Sequence, residues 1–393
     1  MSSEWPQSTL GEFVRLQRGH DLTASEQQAG SIPIMGSAGP NGTHSEALAH
    51  GPGVVIGRSG ASAGRVHFSE VDYWPHNTCL YVTDFLGNNP RFAYYLLQTL
   101  DLAAFNSGSA QPSLNRNYLY SISLKIPPRA AQDGIVDVLK SLDDRITLLR
   151  ETNVTLEAIA QALFKSWFVD FDPVRAKMEG RAPEGIHEST AALFPDALEE
   201  SELGWVPKGW LPIRLDSFLE LAYGKALKAE NRNPGPVPVY GSGGITGWHD
   251  TPLINSPSII VGRKGTVGSL YWESRPFYPI DTVFYVKAKR PLTYCHQLLK
   301  TLGLHDMNTD AAVPGLNREN VYRLLVPDAP ANVLAVFDAS ANALRNSIDH
   351  NETQAQTLST LRDTLLPRLI SGQLRLPEAE AATEAAVGGA LEA

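Results

Sequence analysis

A glycine-rich segment in the first part of the chain has the residue types of a phosphate-binding loop. It reads GRSGASAG at residues 57–64 and follows an apolar run. A phosphate-binding P-loop ends in Lys followed by Ser or Thr, whereas this segment ends in Gly followed by Arg65. Glycine also allows the positive φ angles that a tight hairpin turn requires. We therefore interpret the segment as a turn between two strands, with Arg58 and Ser59 near its tip.

Several polar side chains beside turns of this kind are candidates for nucleic-acid contacts. Arg forms bidentate hydrogen bonds with guanine or phosphate, and Asn does so with adenine. Two structural alternatives remain open: a solvated charge for the basic residues, and an asparagine-capped turn for the asparagines. The candidate DNA-binding residues are Arg58, Ser59, Arg65, Asn115, Arg116, Arg263, Lys264, Asn317 and Arg318.

The sequence contains none of the common catalytic or metal-binding patterns. Cys79 and Cys295 are its two cysteines, and neither has the neighbours of a metal site. A GxSxG nucleophile motif is missing, as is the Asn/Asp-Pro-Pro-aromatic tetrapeptide of amino-methyltransferases. We therefore expect no catalytic residue, metal or cofactor in this chain. The alternative is a methyltransferase or nuclease fused to a duplicated DNA reader, which would methylate or cut DNA unaided.

The candidate residues lie in segments that occur twice. VIGRSG at 55–60 recurs as IVGRKG at 260–265, and PSLNR at 112–116 recurs as PGLNR at 314–318. The offset falls from 205 to 202 residues along the chain, as loop deletions in a duplicated domain would produce. Each copy has short β-branched and aromatic runs bounded by Gly, Pro and Asn, followed by a short helix. We predict an α+β fold class with two similar α/β domains.

A heptad pattern follows each copy and must position it. Apolar residues alternate at spacings of three and four, which is typical of a coiled-coil seam, and each helix should run for roughly 40 residues. We predict a long antiparallel two-helix coiled coil that separates the two domains of a pseudo-two-fold repeat. The two seams are Leu139, Leu142, Ile146, Leu149, Asn153, Leu156, Ala160, Leu163 and Trp167, and Ala341, Leu344, Ile348, Asn351, Ala355, Leu358, Arg362, Leu365 and Leu369.

An antiparallel arrangement predicts which seam residues face each other. Opposed residue numbers then sum to a constant, and a sum of 504 places seam on seam, with Trp167 opposite Phe337 at one end. Asn153 and Asn351 form the one layer in which two polar residues meet. A displaced Asn would lose its hydrogen-bond partner, so such a pair penalises slippage. We interpret both as fixing the helix register; the alternative is two solvated side chains at a frayed seam.

Composition and charge divide the chain into six segments. The formal net charge is −9 overall, but it is −2 for residues 1–127 and +5 for residues 208–327. The acidity therefore lies outside the two domains, and we expect the second domain to make more phosphate contacts. The segments are a first domain at 1–127, a helix at 128–172, a Pro-, Gly- and Glu-rich linker at 173–207, a second domain at 208–327, a second helix at 328–371 and an acidic tail at 372–393, which we expect to be disordered.

The ends of the two predicted helices resemble those of a known family. ALFKSWFVDFDPV at 162–174 closes the first helix, LRDTLLPRLISGQL at 361–374 closes the second, and PPRAAQDGIVDVLKSLDDRI at 127–146 opens the first. With the repeated glycine turns, these segments resemble the specificity (S) subunit of a Type I restriction–modification enzyme, from residue 5 to about 376. The sequence departs from the pattern at the start of the second helix, which lacks an equivalent of Gln132.

The resemblance implies a non-catalytic subunit with two target-recognition domains, each reading one half of a split, asymmetric site in double-stranded DNA. The paired helices would set the spacer between the half-sites. The implied partners are two methyltransferase subunits, which use S-adenosylmethionine, and restriction/translocase subunits, which use ATP and Mg. No segment has the roughly 20 continuous apolar residues of a membrane span, and we expect a cytoplasmic protein that does not bind membranes.

Overall fold

The chain divides into two compact units, and each contains one copy of the repeat. The computed structural model describes residues 5–105, 113–308 and 315–388. One unit is Met1–Leu149 together with Thr353–Ala393, and the other is Arg150–Glu352. Each unit therefore combines one sheet-containing domain with parts of both long helices, so that the helices are shared between the units.

The first unit contains a four-stranded and a three-stranded sheet. The four-stranded sheet has the order β2-β8-β5-β6 and is antiparallel, and the three-stranded sheet has the order β4-β3-β7. A separate pair, β1 with β9, joins the start of the copy to its end. The elements are β1 (Gln7–Thr9), α1 (Leu10–Phe13), β2 (Arg15–Arg18), β3 (Ile32–Gly36), β4 (Gly39–His44), β5 (Gly53–Gly57), β6 (Val66–Ser69), β7 (Trp74–Pro75), β8 (Cys79–Asp84), α2 (Pro90–Gln98), α3 (Arg116–Leu119), β9 (Ser123–Lys125) and α4 (Arg129–Phe168).

The second unit repeats this topology strand for strand. Its sheets have the orders β13-β19-β16-β17 and β15-β14-β18, and β12 pairs with β20 as β1 does with β9. The duplication predicted from the sequence is thus confirmed. The elements are α5 (Asp172–Met178), α6 (Glu188–Ala191), β10 (Leu198–Ser201), β11 (Gly204–Pro207), β12 (Pro212–Arg214), β13 (Leu219–Tyr223), β14 (Val237–Gly241), β15 (Gly244–His249), β16 (Ser258–Gly262), β17 (Leu270–Glu273), β18 (Tyr278–Pro279), β19 (Val283–Ala288), α7 (Leu292–Thr301), α8 (Arg318–Tyr322) and β20 (Leu325–Pro327); two further helices follow, α9 (Ala331–Ile370) and α10 (Leu376–Gly388).

The two long helices have the predicted length and seam. α4 and α9 each span 40 residues, and no residue of either predicted seam is exposed. In the first unit Ile146 and Leu358 belong to one hydrophobic core, and in the second unit Trp167 lies 6.1 Å from Phe337 between ring centroids. Also in the second unit, Asn153 contacts Asn351. From this contact to that of Trp167 with Phe337, the residue numbers rise along α4 and fall along α9. The two helices are therefore antiparallel, as predicted.

The two helices begin differently, as the sequence indicates. Gln132, in the first turn of α4, is 1% exposed, and its Oε1 accepts a hydrogen bond from the backbone N–H of Asn89 at 2.9 Å. Its Nε2 donates to the Pro127 carbonyl at 2.9 Å. α9 has the buried Leu334 at the equivalent position, so apolar packing takes the place of these hydrogen bonds.

The segment at 173–207 is folded, although its composition suggested a linker. It contains α5, α6 and the β10–β11 hairpin. Val174, Phe194 and Val206 are buried in the core of the second unit. These apolar residues, dispersed among Pro, Gly and Glu, bury enough surface to hold the segment on the domain.

The prediction of a disordered tail is wrong for residues 376–388, which form α10. Ala379 is fully buried in the core of the first unit. Gly134 of α4 leaves room for the Leu376 side chain, since a Cβ there would lie 2.8 Å from Leu376 Cδ1. Alanine has the highest helix propensity and its small side chain permits close packing, whereas the prediction weighed only the acidic residues. Residues 389–393 lie outside the described part of the chain.

Candidate DNA-binding clefts

The glycine-rich segment is a turn, as interpreted from the sequence. It joins the antiparallel strands β5 and β6. Gly60 has a φ of +74° and Gly64 a φ of +87°, which L residues rarely adopt. The prediction of hairpin glycines is therefore confirmed, and Arg58 and Ser59 directly follow β5, an inner strand of the four-stranded sheet.

In the first unit, this turn meets the loop that carries Asn115 and Arg116. The two segments line an open cleft of about 660 Å³ together with Arg18 and the residues that follow it. The Leu114 amide donates to the Arg58 carbonyl at 2.9 Å, and Ser59 forms an isolated β-bridge with Ser113. Segments that are far apart in the sequence are thus held side by side by backbone hydrogen bonds.

The arginine side chains of this cleft are anchored to the backbone around it. Arg58 Nη1 donates to the Asn77 carbonyl at 3.4 Å, and Arg116 Nη1 donates to the Leu16 carbonyl at 3.0 Å. Arg116 is nevertheless exposed and Arg58 half-buried. A guanidinium has five N–H donors, so these bonds orient the group while it still faces the cleft.

The second unit has an equivalent cleft, of about 380 Å³, which Arg263, Lys264, Asn317 and Arg318 line. The Leu316 amide donates to the Arg263 carbonyl at 2.8 Å, and Lys264 forms a β-bridge with Gly315. Arg263 Nη1 donates to the Asp281 carbonyl at 2.9 Å, as Arg58 does to the Asn77 carbonyl. Both copies therefore join the turn to the asparagine loop with the same bonds, whereas the second arginine is held differently: Arg116 donates to the Leu16 carbonyl and Arg318 lies 3.5 Å from Glu319 Oε1.

Both cleft asparagines cap short helices. At the start of α3, Asn115 Oδ1 accepts a hydrogen bond from the backbone N–H of Asn117 at 3.0 Å. At the start of α8, Asn317 Oδ1 accepts one from the backbone N–H of Glu319 at 2.9 Å. This is the asparagine-capped turn that the sequence left as an alternative. The capping bond uses the oxygen, so the amide nitrogen is the atom suited to a DNA contact. Pro112 and Pro314, beside these loops, lie outside the described residues.

Arg65 is not brought to the cleft. It is exposed and lines a different depression of the first unit, beside Tyr95 of α2 and Asp143 of α4. Of the first-unit candidates, the structure thus groups Arg58, Ser59, Asn115 and Arg116 and separates Arg65 from them.

Tyr223 was missed by the sequence analysis. It is the last residue of β13 and lines the second cleft with 49% of its surface exposed. The guanidinium carbons of Arg263 and Arg318 lie 4.9 Å and 5.2 Å from the centre of its ring, within cation–π range. The repeat offset makes Arg18 the equivalent residue of the first copy, and Arg18 lines the first cleft. Because the two residue types differ, no repeated motif marked this position in the sequence.

Asn153 and Asn351 face each other within the second unit. Asn351 Nδ2 donates to Asn153 Oδ1 at 2.9 Å, and Asn153 Nδ2 donates to the Ile348 carbonyl at 3.2 Å. Both side chains are half-buried. The structure therefore contains the pairing that the sum of 504 predicts; the role of the pair in fixing the register remains a prediction.

Each of the two domains is joined to the long helices by a different polar cluster. In the first unit, Tyr95 Oη and Arg362 Nη1 donate to the two oxygens of Asp143, at 2.6 Å and 2.8 Å. In the second unit, Gln297 Nε2 donates to Glu157 Oε1 at 2.9 Å, and Lys300 forms an ion pair with the same carboxylate. Burial raises the pKa of Glu157, but the hydrogen bonds from Gln297 and Lys300 outweigh it and leave this pKa lowered.

Two classes of site are not found among the described residues. No group of three or more His, Cys, Asp or Glu side chains there has the arrangement of a metal site. No described helix is long and apolar enough to cross a membrane.

Cys79 and Cys295 are buried, and burial raises the pKa of each thiol to about 12, so both are protonated at neutral pH.

Comparison with known proteins assigns the chain to a family. Residues 2–158 and 207–321 match the family described as Type I restriction modification DNA specificity domain. The Type I restriction enzyme HindI specificity subunit of Haemophilus influenzae is 25% identical over 355 residues, which cover 72% of this chain and 77% of that protein. The MjaIX specificity subunit of Methanocaldococcus jannaschii is 25% identical over 320 residues, covering 73% of this chain and 69% of that protein.

The fold also has a counterpart among solved structures. The crystal structure of a Type I restriction–modification S subunit from M. genitalium has a TM-score of 0.61 and 18% identity to this chain, and covers 93% of this chain and 96% of its own. That likeness concerns the fold alone, whereas the family match covers more than half of the sequence. The duplicated chain with its paired helices belongs to the family of Type I restriction–modification specificity subunits.

Proposed function

We propose that this chain selects the DNA site of a Type I restriction–modification complex and that each recognition domain reads one half of a bipartite, asymmetric sequence. The single observation that carries the proposal is the recurrence of the cleft. Each copy brings two arginines and a capping asparagine together from separate loops, with equivalent backbone hydrogen bonds. Arginine on an open concave surface suits phosphate and base edges of double-stranded DNA.

The partners follow from the same role. Two methyltransferase subunits dock on this chain and supply S-adenosylmethionine, and restriction/translocase subunits join through them and supply ATP and Mg. α4 and α9 set the distance between the half-sites, with Asn153 and Asn351 fixing their register. The chain itself carries no catalytic residue and acts in the cytoplasm, where the host DNA lies.

The direct test is reconstitution with the host's methyltransferase subunits. We expect the complex to protect two separated half-sites in a footprint and to methylate adenines in the same bipartite sequence, as read by methylome sequencing. Arg116→Ala and Arg318→Ala should each weaken DNA binding. Arg181→Ala, a matched change at an exposed arginine that lines neither cleft, should leave the affinity unchanged.

Two results would contradict the proposal. A complex that methylates DNA without sequence preference would show that the clefts do not select the site. Methylation by the purified chain in the presence of S-adenosylmethionine alone would show that it is an enzyme in its own right.

A further inference from the structure

The two clefts of this chain can be compared residue by residue. Three pairs of equivalent polar residues that line the clefts are identical, namely Arg58 with Arg263, Asn115 with Asn317, and Arg116 with Arg318. The arginines of the first pair donate to equivalent carbonyls, and the asparagines cap equivalent helices. Other equivalent positions in or beside the clefts differ: Arg18 with Tyr223, Ser59 with Lys264, and Asn117 with Glu319.

This division separates two kinds of DNA contact. The inference rests on the proposed function, in which the two domains read different sequences. A side chain that is the same in both domains, and lines the equivalent cleft in each, offers both half-sites the same donors. Phosphate is the part of the DNA that is the same in both half-sites. Discrimination between two different half-sites requires residues that differ between the domains.

Of the three pairs that differ, Arg18 and Tyr223 is the pair in which both residues line their clefts. Both end the equivalent strands β2 and β13, and they pair with the equivalent residues Leu80 and Phe284. Both line their clefts beside the identical arginines. The backbone places both residues at the equivalent position of the cleft, so the two clefts differ here only in the side chain.

We propose that Arg18 and Tyr223 are specificity-determining residues of the two half-sites, and that the identical arginines bind phosphate. The Arg18 side chain is 55% exposed, and its Nη2 lies 3.8 Å from Oδ1 of the exposed Asp21. Its guanidinium has the planar fork of donors that matches the O6 and N7 acceptors of a guanine. Tyr223 has no such fork. With two guanidinium groups near its ring, it offers one hydroxyl, which can donate to thymine O4, and an aromatic edge, which can contact the thymine methyl group.

The test exchanges the two residues in the reconstituted complex, with Arg18→Tyr and Tyr223→Arg made separately. We expect Arg18→Tyr to reduce the preference for guanine at one position of the first half-site about ten-fold or more. The second half-site should be unchanged. Tyr223→Arg should introduce a guanine preference into the second half-site only. The readout is methylation of a library in which every position of both half-sites is randomised.

Conservative variants separate readout from simple loss of contact. Arg18→Lys keeps the charge but loses the planar bidentate fork, so it should retain affinity and reduce the guanine preference. Arg116→Ala and Arg318→Ala should leave the preferred sequence unchanged. Each should lower binding to all sequences by the same factor and reduce by about 1 the slope of log affinity against log salt concentration.

The outcomes distinguish this inference from the proposed function. If the unaltered complex shows no bipartite site, the proposed function fails, whatever the variants do. If it shows such a site but the exchanges at positions 18 and 223 only lower methylation of every sequence equally, the specificity role is wrong. A change of preferred base caused by Arg116→Ala or Arg318→Ala would overturn the assignment of phosphate contacts.

Discussion

His296 is a buried titratable side chain at the point where the second recognition domain meets the long helices. It lies on α7, is 6% exposed, and its ring centre lies 5.4 Å from that of Trp272. Burial, and then the positive charge of Lys300, lower its pKa to about 3, against an opposing effect of Glu157. The folded chain therefore holds this imidazole neutral at pH values where an unfolded chain protonates it.

A pH dependence of stability follows for the second unit. In the unfolded chain His296 binds a proton below its ordinary pKa of 6.5, whereas in the folded chain it does so only near 3. The stabilisation is therefore fully present above pH 6.5 and is lost as the pH falls from 6.5 toward 3, by at most ~1.4 kcal/mol per pH unit. Hydrogen exchange of the full chain between pH 7 and pH 5, corrected for the intrinsic exchange rate, should show this loss in the second unit.

Two variants check the source of this pH dependence. His296→Gln keeps a neutral polar side chain and should flatten the pH dependence of protection in the second unit. His305→Gln, at an exposed histidine nearby in sequence, should leave it unchanged. The first unit has Tyr94 at the equivalent position of α2 and should lack this component. An unaltered slope in His296→Gln would assign the pH dependence to other groups.

At the scale of elements, the Asn153–Asn351 layer yields a prediction about helix register. Asn153→Leu alone leaves Asn351 without its side-chain partner and should lower the free energy of unfolding by about 1–3 kcal/mol. Leu at both positions makes the layer apolar and should restore or exceed the original stability. The double variant should nevertheless methylate sites with a wider range of spacer lengths, because nothing then penalises a shifted register.

Spacer-length selection and denaturation are the measurements for this prediction. Asn346→Ala, at an exposed position of the same helix, is the control and should change neither quantity. A double variant that keeps a single spacer length would show that other layers fix the register.

The elements also show what the sequence could and could not predict. The heptad seams of α4 and α9 were recognisable because each pattern repeats over many turns. The duplicated sheets were recognisable because the same motifs occur in both copies in the same order. α10 was missed because its buried contact is local to Ala379 and Leu376, which no long pattern marks. The joining of Arg58 to the loop of Asn115 depends on a backbone hydrogen bond between Leu114 and Arg58. A backbone hydrogen bond does not depend on residue type, so no pattern in the sequence predicts it.

At the scale of the whole molecule, the duplicated plan predicts that recognition domains are exchangeable. Replacing residues 208–327 with the equivalent domain of another family member should change one half-site and leave the other unchanged, because the first cleft lies wholly within the first copy. Methylome sequencing of a host that carries the exchanged chain measures this. A change in both half-sites would mean that the domains do not read independently.

The same exchange cuts through the polar cluster of the second unit, which sets a condition for its success. Gln297 and Lys300 lie inside the replaced segment, whereas Glu157, which both contact, lies outside it. A donor domain with an apolar residue at position 300 would leave the half-buried Glu157 carboxylate without its cation and lower the free energy of unfolding by about 1–3 kcal/mol. Glu157→Gln in the same chimera should recover most of that loss, since a neutral amide is less costly to bury than an unpaired charge. The half-site should be the same with and without Glu157→Gln, so stability and specificity would change separately; a half-site that shifts with Glu157→Gln would mean that the cluster takes part in reading the DNA.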